Sequence, residues 1–331
     1  MLREDLSLAV HDRLRLLPIV HGSVEYTVTI RKLFLNDPPS AVALELPASL
    51  EESIARVVPH LDEIPVLSLA MEPSLHLILE PLEPLVEALR SAFELGIPYH
   101  LIDQPELSRI PFSSNPFPDT YALKFLSPLE LYRLYLKAGP HRPRIPAAAA
   151  DFADQFDMMV RESDRQREIF MAGQLRLLQN FVPDGGYLLA LCGVEHIASI
   201  QRLLALTSDD FAEISGAVDS EPLQALLEQK KNPGLDAAIH SLSRQTPEVL
   251  DQPAYYNSSW LLIRNRPDLI DHFNRILLQR TAYRDAVHRY ERESTEVFSR
   301  RKEKLFFRFT RNWSLIEGRL LPDLYKLVMA G

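Results

Sequence analysis

Short apolar runs alternate with segments of helical periodicity through the first hundred residues, and this alternation most constrains the fold. The apolar runs lie at residues 16–20, 41–46, 77–79 and 99–102. Amphipathic segments separate them, such as "EPLVEALRSAFEL", which is followed by Gly96, a residue type that often ends helices. Strand–helix–strand units with short connections predict a parallel sheet covered by helices. We therefore expect an α/β fold with a mostly parallel sheet flanked by helices.

The rest of the chain divides into three further parts. Residues 104–145 are rich in proline and irregular, and we interpret them as an excursion from the sheet that bounds a substrate pocket. A long helical segment then leads to a buried strand at 187–192, a corner at Gly193 and another helix. Everything after residue 207 has helical periodicity, including a strongly charged tract at 281–329. The sequence thus predicts an α/β domain at 1–206 that carries the site, and an additional all-helical C-terminal region at 207–331.

Composition narrows the class of protein. The 331 residues are 46% hydrophobic, but no stretch reaches the roughly 18 uninterrupted apolar residues of a membrane span. The N-terminus mixes acidic and basic residues, unlike a signal peptide, so we expect a cytoplasmic location. The single cysteine, Cys192, excludes an intrachain disulfide, and we interpret it as a small core residue and not a nucleophile.

Charge argues against general nucleic-acid binding, because the net charge is −9 and phosphate contacts need an excess of Lys and Arg. The segment at 300–311 is a local exception, with six Lys and Arg residues and three Phe residues. Two interpretations are open for this segment: a helix whose aromatic face packs inward and whose basic face is solvated, or a patch that binds phosphate. We favour the first. The helical C-terminal region could instead offer a surface to a protein partner.

Polar residues follow the ends of the predicted strands, where open α/β sheets bind their ligands. His21 follows the first strand, Glu45 lies at the end of the second, and Gly193 follows the last. The remaining candidates at strand ends are Glu80, Asp103, Glu195 and His196. His21 and His196 each follow an apolar run, where an unpartnered imidazole would be expensive to bury.

Two chemistries fit these residue types, and the sequence leaves both open. His21, Glu45 and His196 could hold a divalent metal ion that activates water. The same side chains could form a metal-free general acid–base site. Taken singly, Glu80 and Asp103 are better explained as polar groups that close a strand end.

Two further residues are candidates for supporting roles. Arg167 lies on the long helix among charged residues spaced for ion pairs. It either belongs to a solvated face or points at the strand ends, where it binds an anionic group or orients a carboxylate. Glu25 follows His21 by four residues and either joins the site or begins the next helix, where a carboxylate suits the helix dipole.

Four short motifs in order resemble the superfamily that groups erythromycin-esterase-like proteins, ChaN-like haem-binding proteins and the TraB and Tiki families. A G-x-x-H motif is intact at residues 193–196, and "QREIFMA" at 166–172 resembles the E-R-D-x-x-M-A helix of that superfamily. Glu45 in "AVALELP" matches the glutamate of the second strand. The first G-x-x-H reads "PIVH" and continues as "HGSVEY", similar to the H-G-x-x-E-F of the esterases, but Leu17 and Pro18 replace their Gly-Glu pair.

The resemblance covers residues 15–205 and implies a parallel α/β fold with an active centre of His21, Glu45 and His196, supported by Glu25 and Arg167. It implies a hydrolase of ester, amide or peptide bonds that acts on a small molecule or a peptide. Because the first motif is degenerate, the second hypothesis is a member of the superfamily that binds a ligand or partner without catalysis.

Overall fold

The computed structural model describes residues 8–11, 13–61, 67–72, 75–104, 150–216, 239–241, 254–294 and 297–316, with single positions at 130, 133, 322 and 327. The predicted excursion at 104–145 lies almost entirely outside these residues. The described strands are β1 (Leu8–His11), β2 (Leu14–Ile19), β3 (Ala41–Pro47), β4 (Leu67–Glu72), β5 (Leu75–Leu79), β6 (Tyr99–Asp103), β7 (Leu188–Gly193) and β8 (Ile239–Ser241).

The main sheet has the order β1-β2-β7-β3-β6. The four strands from β2 to β6 in this order are parallel, while β1 pairs with β2 in the antiparallel sense at the edge. Every residue of β7 is buried, as expected for a central strand covered on both faces. The predicted α/β class with a mostly parallel sheet is confirmed.

Helices cover this sheet in two packed pairs. The described helices of the first part are α1 (Val24–Asn36), α2 (Glu51–Val57), α3 (Pro84–Leu95), α4 (Ala150–Leu178) and α5 (Val194–Leu204). Helix α1 packs against α3, and α4 packs against α5. Gly96 ends α3 in the left-handed conformation, with φ of 66°, as the sequence predicted.

Residues 77–79 do not belong to the parallel sheet, and that prediction is wrong. They lie in β5, which pairs with β4 in the antiparallel sense in a separate three-stranded sheet of order β5-β4-β8. A short apolar run indicates a buried strand but carries no information on which strand it pairs with. Strand β8 also shows that the region after residue 207 is not entirely helical.

The C-terminal helices are α6 (Ser208–Gly216), α7 (Ala254–Ile263), α8 (Pro267–Ile270), α9 (Arg275–Glu293) and α10 (Arg300–Ile316). A second hydrophobic cluster joins this region to the α/β part: Trp260 of α7 and Leu278 of α9 pack with Val24 and Val28 of α1. Helix α1 therefore packs against α3 and against the C-terminal helices, in addition to the main core, where its Tyr26 and Phe34 are buried.

The charged tract forms α9 and α10, separated after Ser294. The three Phe side chains at 300–311 were expected to face inward. Phe306 is buried, as expected, but Phe307 and Phe309 are exposed. Basic side chains of α10 line a surface hollow beside Phe307. Among the described helices, none is long and apolar enough to cross a membrane.

Candidate functional site

The carboxyl ends of the four parallel strands meet at one edge of the main sheet. Ile19 of β2 is paired in register with Gly193 of β7, and Pro47 of β3 with Asp103 of β6. Since β7 lies between β2 and β3, its Gly193 corner occupies the middle of this edge. Side chains that follow neighbouring strands therefore lie close together here, as the contacts among Glu45, Asp103, Arg167 and His196 show.

Glu45 is the buried acceptor at the centre of the edge. Its Oε2 accepts the backbone N–H of Gly193 at 2.6 Å, and its Oε1 accepts from Arg167 Nη2 at 2.8 Å. Oε1 also lies 3.4 Å from His196 Nε2. Burial by itself would raise the pKa of Glu45, but the charges of His196, Arg167 and His21 and the Gly193 bond lower it below its usual value. Glu45 is therefore an anion at neutral pH.

Arg167 projects from α4 onto the strand ends and joins two of them. Its Nη2 donates to Asp103 Oδ2 at 2.7 Å, and its Nε lies 3.1 Å from Asp103 Oδ1. Together with the bond to Glu45, these contacts tie β3, β6 and α4 to one guanidinium. Asp164 approaches Arg167 Nη1 at 3.5 Å from the preceding turn of α4. Arg167 thus orients two carboxylates, which is the second of the two roles that the sequence left open.

His196 lies in the first turn of α5 and is held at both ring nitrogens. Its Nδ1 is 3.0 Å from Glu168 Oε1, while Nε2 faces Glu45. Burial lowers the pKa of His196, but Glu45, Glu168 and Glu195 together raise it to about 9. The ring is therefore an imidazolium at neutral pH that donates from Nδ1 to Glu168 and forms an ion pair with Glu45 on its Nε2 side. Arg167 Nη1 lies 3.5 Å from Nε2, and its positive charge opposes this rise.

His21 stands on the turn after β2 and makes a different pairing. Its Nδ1 is 2.8 Å from Glu83 Oε1, and the other oxygen of Glu83 accepts the N–H of Gly22 at 2.8 Å. Desolvation lowers the pKa of His21, while Glu83, Glu45 and Glu195 raise it to about 10. Because 49% of the side chain is exposed, water screens part of this effect and the value is an upper bound.

Glu195 completes the edge from the first turn of α5. A Cβ atom added to Gly193 would lie 2.9 Å from Cδ of Glu195, so the Glu195 side chain folds back over the Gly193 corner. The charge of Glu195 raises the pKa of both His21 and His196. The Glu195 carboxylate therefore acts electrostatically on both histidines from the Gly193 corner.

The structure places Glu25 and Glu80 away from these contacts. Glu25 lies in the first turn of α1 and accepts the Ser23 hydroxyl at 3.0 Å, which is the helix-start role that the sequence left open. Glu80 is buried and accepts from Asn257 of α7 at 2.9 Å. Glu80 follows a strand of the second sheet, so it does not share an edge with Glu45.

The three residues considered as metal ligands do not form one cluster. Within the described ranges, no group of three or more His, Cys, Asp or Glu side chains is placed to hold a metal ion. Glu45 and His196 are in contact, but His21 is paired with Glu83. The Arg167 guanidinium supplies the positive charge that Glu45 and Asp103 face. The geometry thus fits an acid–base site better than a ligand set.

Glu83, Glu168 and Asp164 were not predicted as site residues. Glu83 precedes α3 by one residue, and its "EPLEP" context indicates only a helix start. Glu168 and Asp164 flank Arg167 on α4, where their spacing equally fits solvated ion pairs. Their positions in the sequence were the one signal that could have found them, because a carboxylate near a helix start or beside a candidate Arg can reach a strand end.

Comparison with protein-family models, with curated proteins and with solved structures finds no match to this chain. The superfamily resemblance thus rests on the four short motifs alone.

Proposed function

We propose that the protein hydrolyses ester or amide bonds of a small molecule or a peptide, with His21 and His196 as its acid–base groups. The observation that carries the proposal is the setting of His196, whose ring is oriented by Glu168 at Nδ1 and by Glu45 at Nε2, beside Arg167. A carboxylate that fixes one imidazole nitrogen is the usual way to orient a catalytic histidine. The order of motifs along the chain supports the same reading.

The proposed roles follow from exposure and charge. His21, half exposed and oriented by Glu83, accepts a proton from the attacking water in its neutral form. His196, as the imidazolium, donates a proton to the leaving oxygen or nitrogen. Arg167 stabilises the negative charge that develops on the carbonyl oxygen in the transition state. Glu45 holds Arg167 and His196 in place.

The raised pKa values predict an alkaline activity profile. At neutral pH both histidines are protonated, so little of the His21 base is free. The fraction with neutral His21 and protonated His196 is largest between the two pKa values. We therefore expect kcat/KM to rise from pH 7 to an optimum between pH 8 and 10, and to fall at higher pH as His196 loses its proton.

The test is turnover of nitrophenyl esters, anilides and short peptides at pH 9 by wild type and by His21→Gln, His196→Gln and His272→Gln. His272 is exposed and lies outside the site, so its variant is the matched control. We expect a loss of at least 100-fold in the two site variants and less than twofold in the control. Turnover that survives in both site variants would contradict the proposal.

A second candidate function is ligand or partner binding without catalysis, and one observation favours it. Arg167 and Glu45 are already bound to each other and to Asp103 and His196, an arrangement that also suits a purely structural ion-pair network. Leu17 and Pro18 at the esterase Gly-Glu positions point the same way. Absence of turnover across the panel between pH 7 and 10, with intact folding, would favour binding. In that case the helical C-terminal region is the first surface to test for a protein partner.

A cytoplasmic location belongs to the same proposal. It is supported by the single cysteine, which is buried and unpaired, as is usual in a reducing compartment. Fractionation of cells that express a tagged chain would test it.

A further inference from the structure

The turn that carries His21 is short and follows β2 directly. A backbone bond from Ser23 N–H to the carbonyl of Val20, at 3.2 Å, closes it. Gly22 has φ of 66° and so adopts the left-handed conformation that glycine tolerates best. Since nearly half of the His21 side chain faces solvent, packing on the ring holds it only in part.

Two side chains from distant parts of the chain hold the Gly22 peptide groups from both directions. Glu83, which precedes α3, accepts the Gly22 N–H at 2.8 Å. Arg275, the first residue of α9, donates from Nη2 to the Gly22 carbonyl at 3.2 Å. The partner sequence positions are thus 61 residues and 253 residues away from Gly22.

Arg275 is itself fixed by the packing of α9. Asn274 caps this helix, and its side chain accepts the N–H of Leu277 at 2.9 Å. One residue further, Leu278 is buried in the second cluster with Val24 and Val28 of α1. The start of α9 is therefore held against the helix that begins immediately after the His21 turn.

The C-terminal region also restrains the helix that follows Glu83. Glu87, one turn further along α3, is fully buried and accepts from Trp260 Nε1 at 2.8 Å and from Arg264 Nη2 at 2.7 Å. Both donors belong to α7 or directly follow it. A buried carboxylate with two such donors resists displacement, because moving it would leave charges unpaired.

From these contacts we propose that the C-terminal helices form part of the site, with Arg275 as a positioning residue for the Gly22 turn and His21. Arg275 acts through the turn and does not touch the reacting atoms. The proposal deepens the proposed function and rests on it for any catalytic meaning. The structural claim itself can be tested without a substrate.

Solvent exchange of glycine amides gives a direct measurement. Two glycine amides donate to site carboxylates: Gly22 to Glu83 and Gly193 to Glu45. Selective ¹⁵N-glycine labelling limits the spectrum to the 11 glycines. His-Gly and Cys-Gly each occur once in the chain, so ¹³C-carbonyl labelling of His or Cys assigns Gly22 and Gly193 unambiguously.

The variants are Arg275→Met, with Arg280→Met as the matched control on an exposed position of the same helix. We expect Arg275→Met to accelerate exchange of the Gly22 amide at least tenfold and to change Gly193 less than twofold. Arg280→Met should change neither. Glu83→Gln is the positive control, since it weakens the acceptor of the same amide and should also accelerate Gly22 exchange.

Two results would overturn the proposal. The first is a Gly22 exchange rate within twofold of wild type in Arg275→Met. The second is equal acceleration of Gly22 and Gly193, which would show general destabilisation. If Arg275→Met does not fold, Arg275→Lys replaces it, with at least threefold acceleration expected at Gly22 alone. Failure of the hydrolase assay leaves the exchange result unchanged, so the two proposals fail separately.

Discussion

Replacing Arg167 with methionine removes the cation that joins two buried carboxylates at the sheet edge. Methionine keeps an unbranched apolar stem but lacks the guanidinium, so the lost interactions are chiefly the bonds to Glu45 and Asp103. Those two side chains are 6% and 10% exposed, respectively, and Arg167 is 24% exposed. The change therefore leaves two largely buried carboxylates without their shared partner.

The expected magnitude follows from what each carboxylate retains. Removing one partner of a buried pair typically costs about 3–5 kcal/mol. Glu45 keeps the Gly193 amide and His196, and Asp103 keeps the backbone N–H of Gln104 at 2.8 Å. The remaining bonds and the partial exposure of Arg167 place the loss near the lower end, at about 3 kcal/mol in the free energy of unfolding.

Urea unfolding at pH 7, followed by circular dichroism, measures this loss. The control is Arg165→Met, because Arg165 lies on the same helix two residues earlier and is exposed. We expect its free energy of unfolding to stay within about 0.5 kcal/mol of wild type. Repeating the experiment near pH 4 should shrink the loss in Arg167→Met, because the Arg167 charge helps to lower the pKa of Glu45, and without it the buried carboxylate binds a proton more readily than in wild type.

A loss below about 1 kcal/mol at pH 7, with an unchanged dependence on urea, would refute this reasoning. It would mean that the ion pairs of Arg167 only balance the desolvation of their own charges. A loss of about 3 kcal/mol that persists unchanged at pH 4 would also contradict it, because the cause would then be packing and not charge.

Three further predictions concern burial and charge elsewhere in the chain. The pKa of His196 is raised from 6.5 to about 9, which corresponds to a stabilisation of about 3 kcal/mol that is complete below pH 6.5 and is lost as pH rises to about 9. Urea titrations across this range should show this decline in the free energy of unfolding, and the decline should be absent in His196→Gln. Glu87→Gln should lower the free energy of unfolding by about 3 kcal/mol, because it removes the negative charge that pairs with the buried Arg264 guanidinium. A urea midpoint equal to that of wild type would contradict this prediction. Burial raises the pKa of the Cys192 thiol well above its usual value, so iodoacetamide at pH 8 should alkylate it only after unfolding, as mass spectrometry can show.

The helices and strands of the α/β part could be predicted because local patterns specify them. Residues 16–20, 41–46, 99–102 and 187–192 all overlap strands of the main sheet, and Gly96 ends α3. Each of these features depends on residues next to one another in the chain. The run at 77–79 had the same local pattern, but it joined another sheet because strand pairing depends on distant partners.

The same distinction applies to the candidate site. Strand-end position was enough to single out Glu45, Asp103 and His196, since parallel strands bring their carboxyl ends to one edge. It singled out His21 as well but not its partner Glu83, which approaches from the start of α3. Glu80 met the same criterion, yet its strand lies in the second sheet.

The sequence by itself determined the alternation of strands and helices, the parallel class of the main sheet and the edge where its polar residues collect. These follow from hydrophobic periodicity and chain connectivity, which act over short distances along the chain. Only the tertiary structure decided that Arg167 binds Glu45 and Asp103, that Glu83 binds His21, and that Arg275 reaches the Gly22 turn. Those partners lie between 62 and 253 residues apart. Charged side chains of one type are locally equivalent along the chain until folding brings one of them within hydrogen-bond distance.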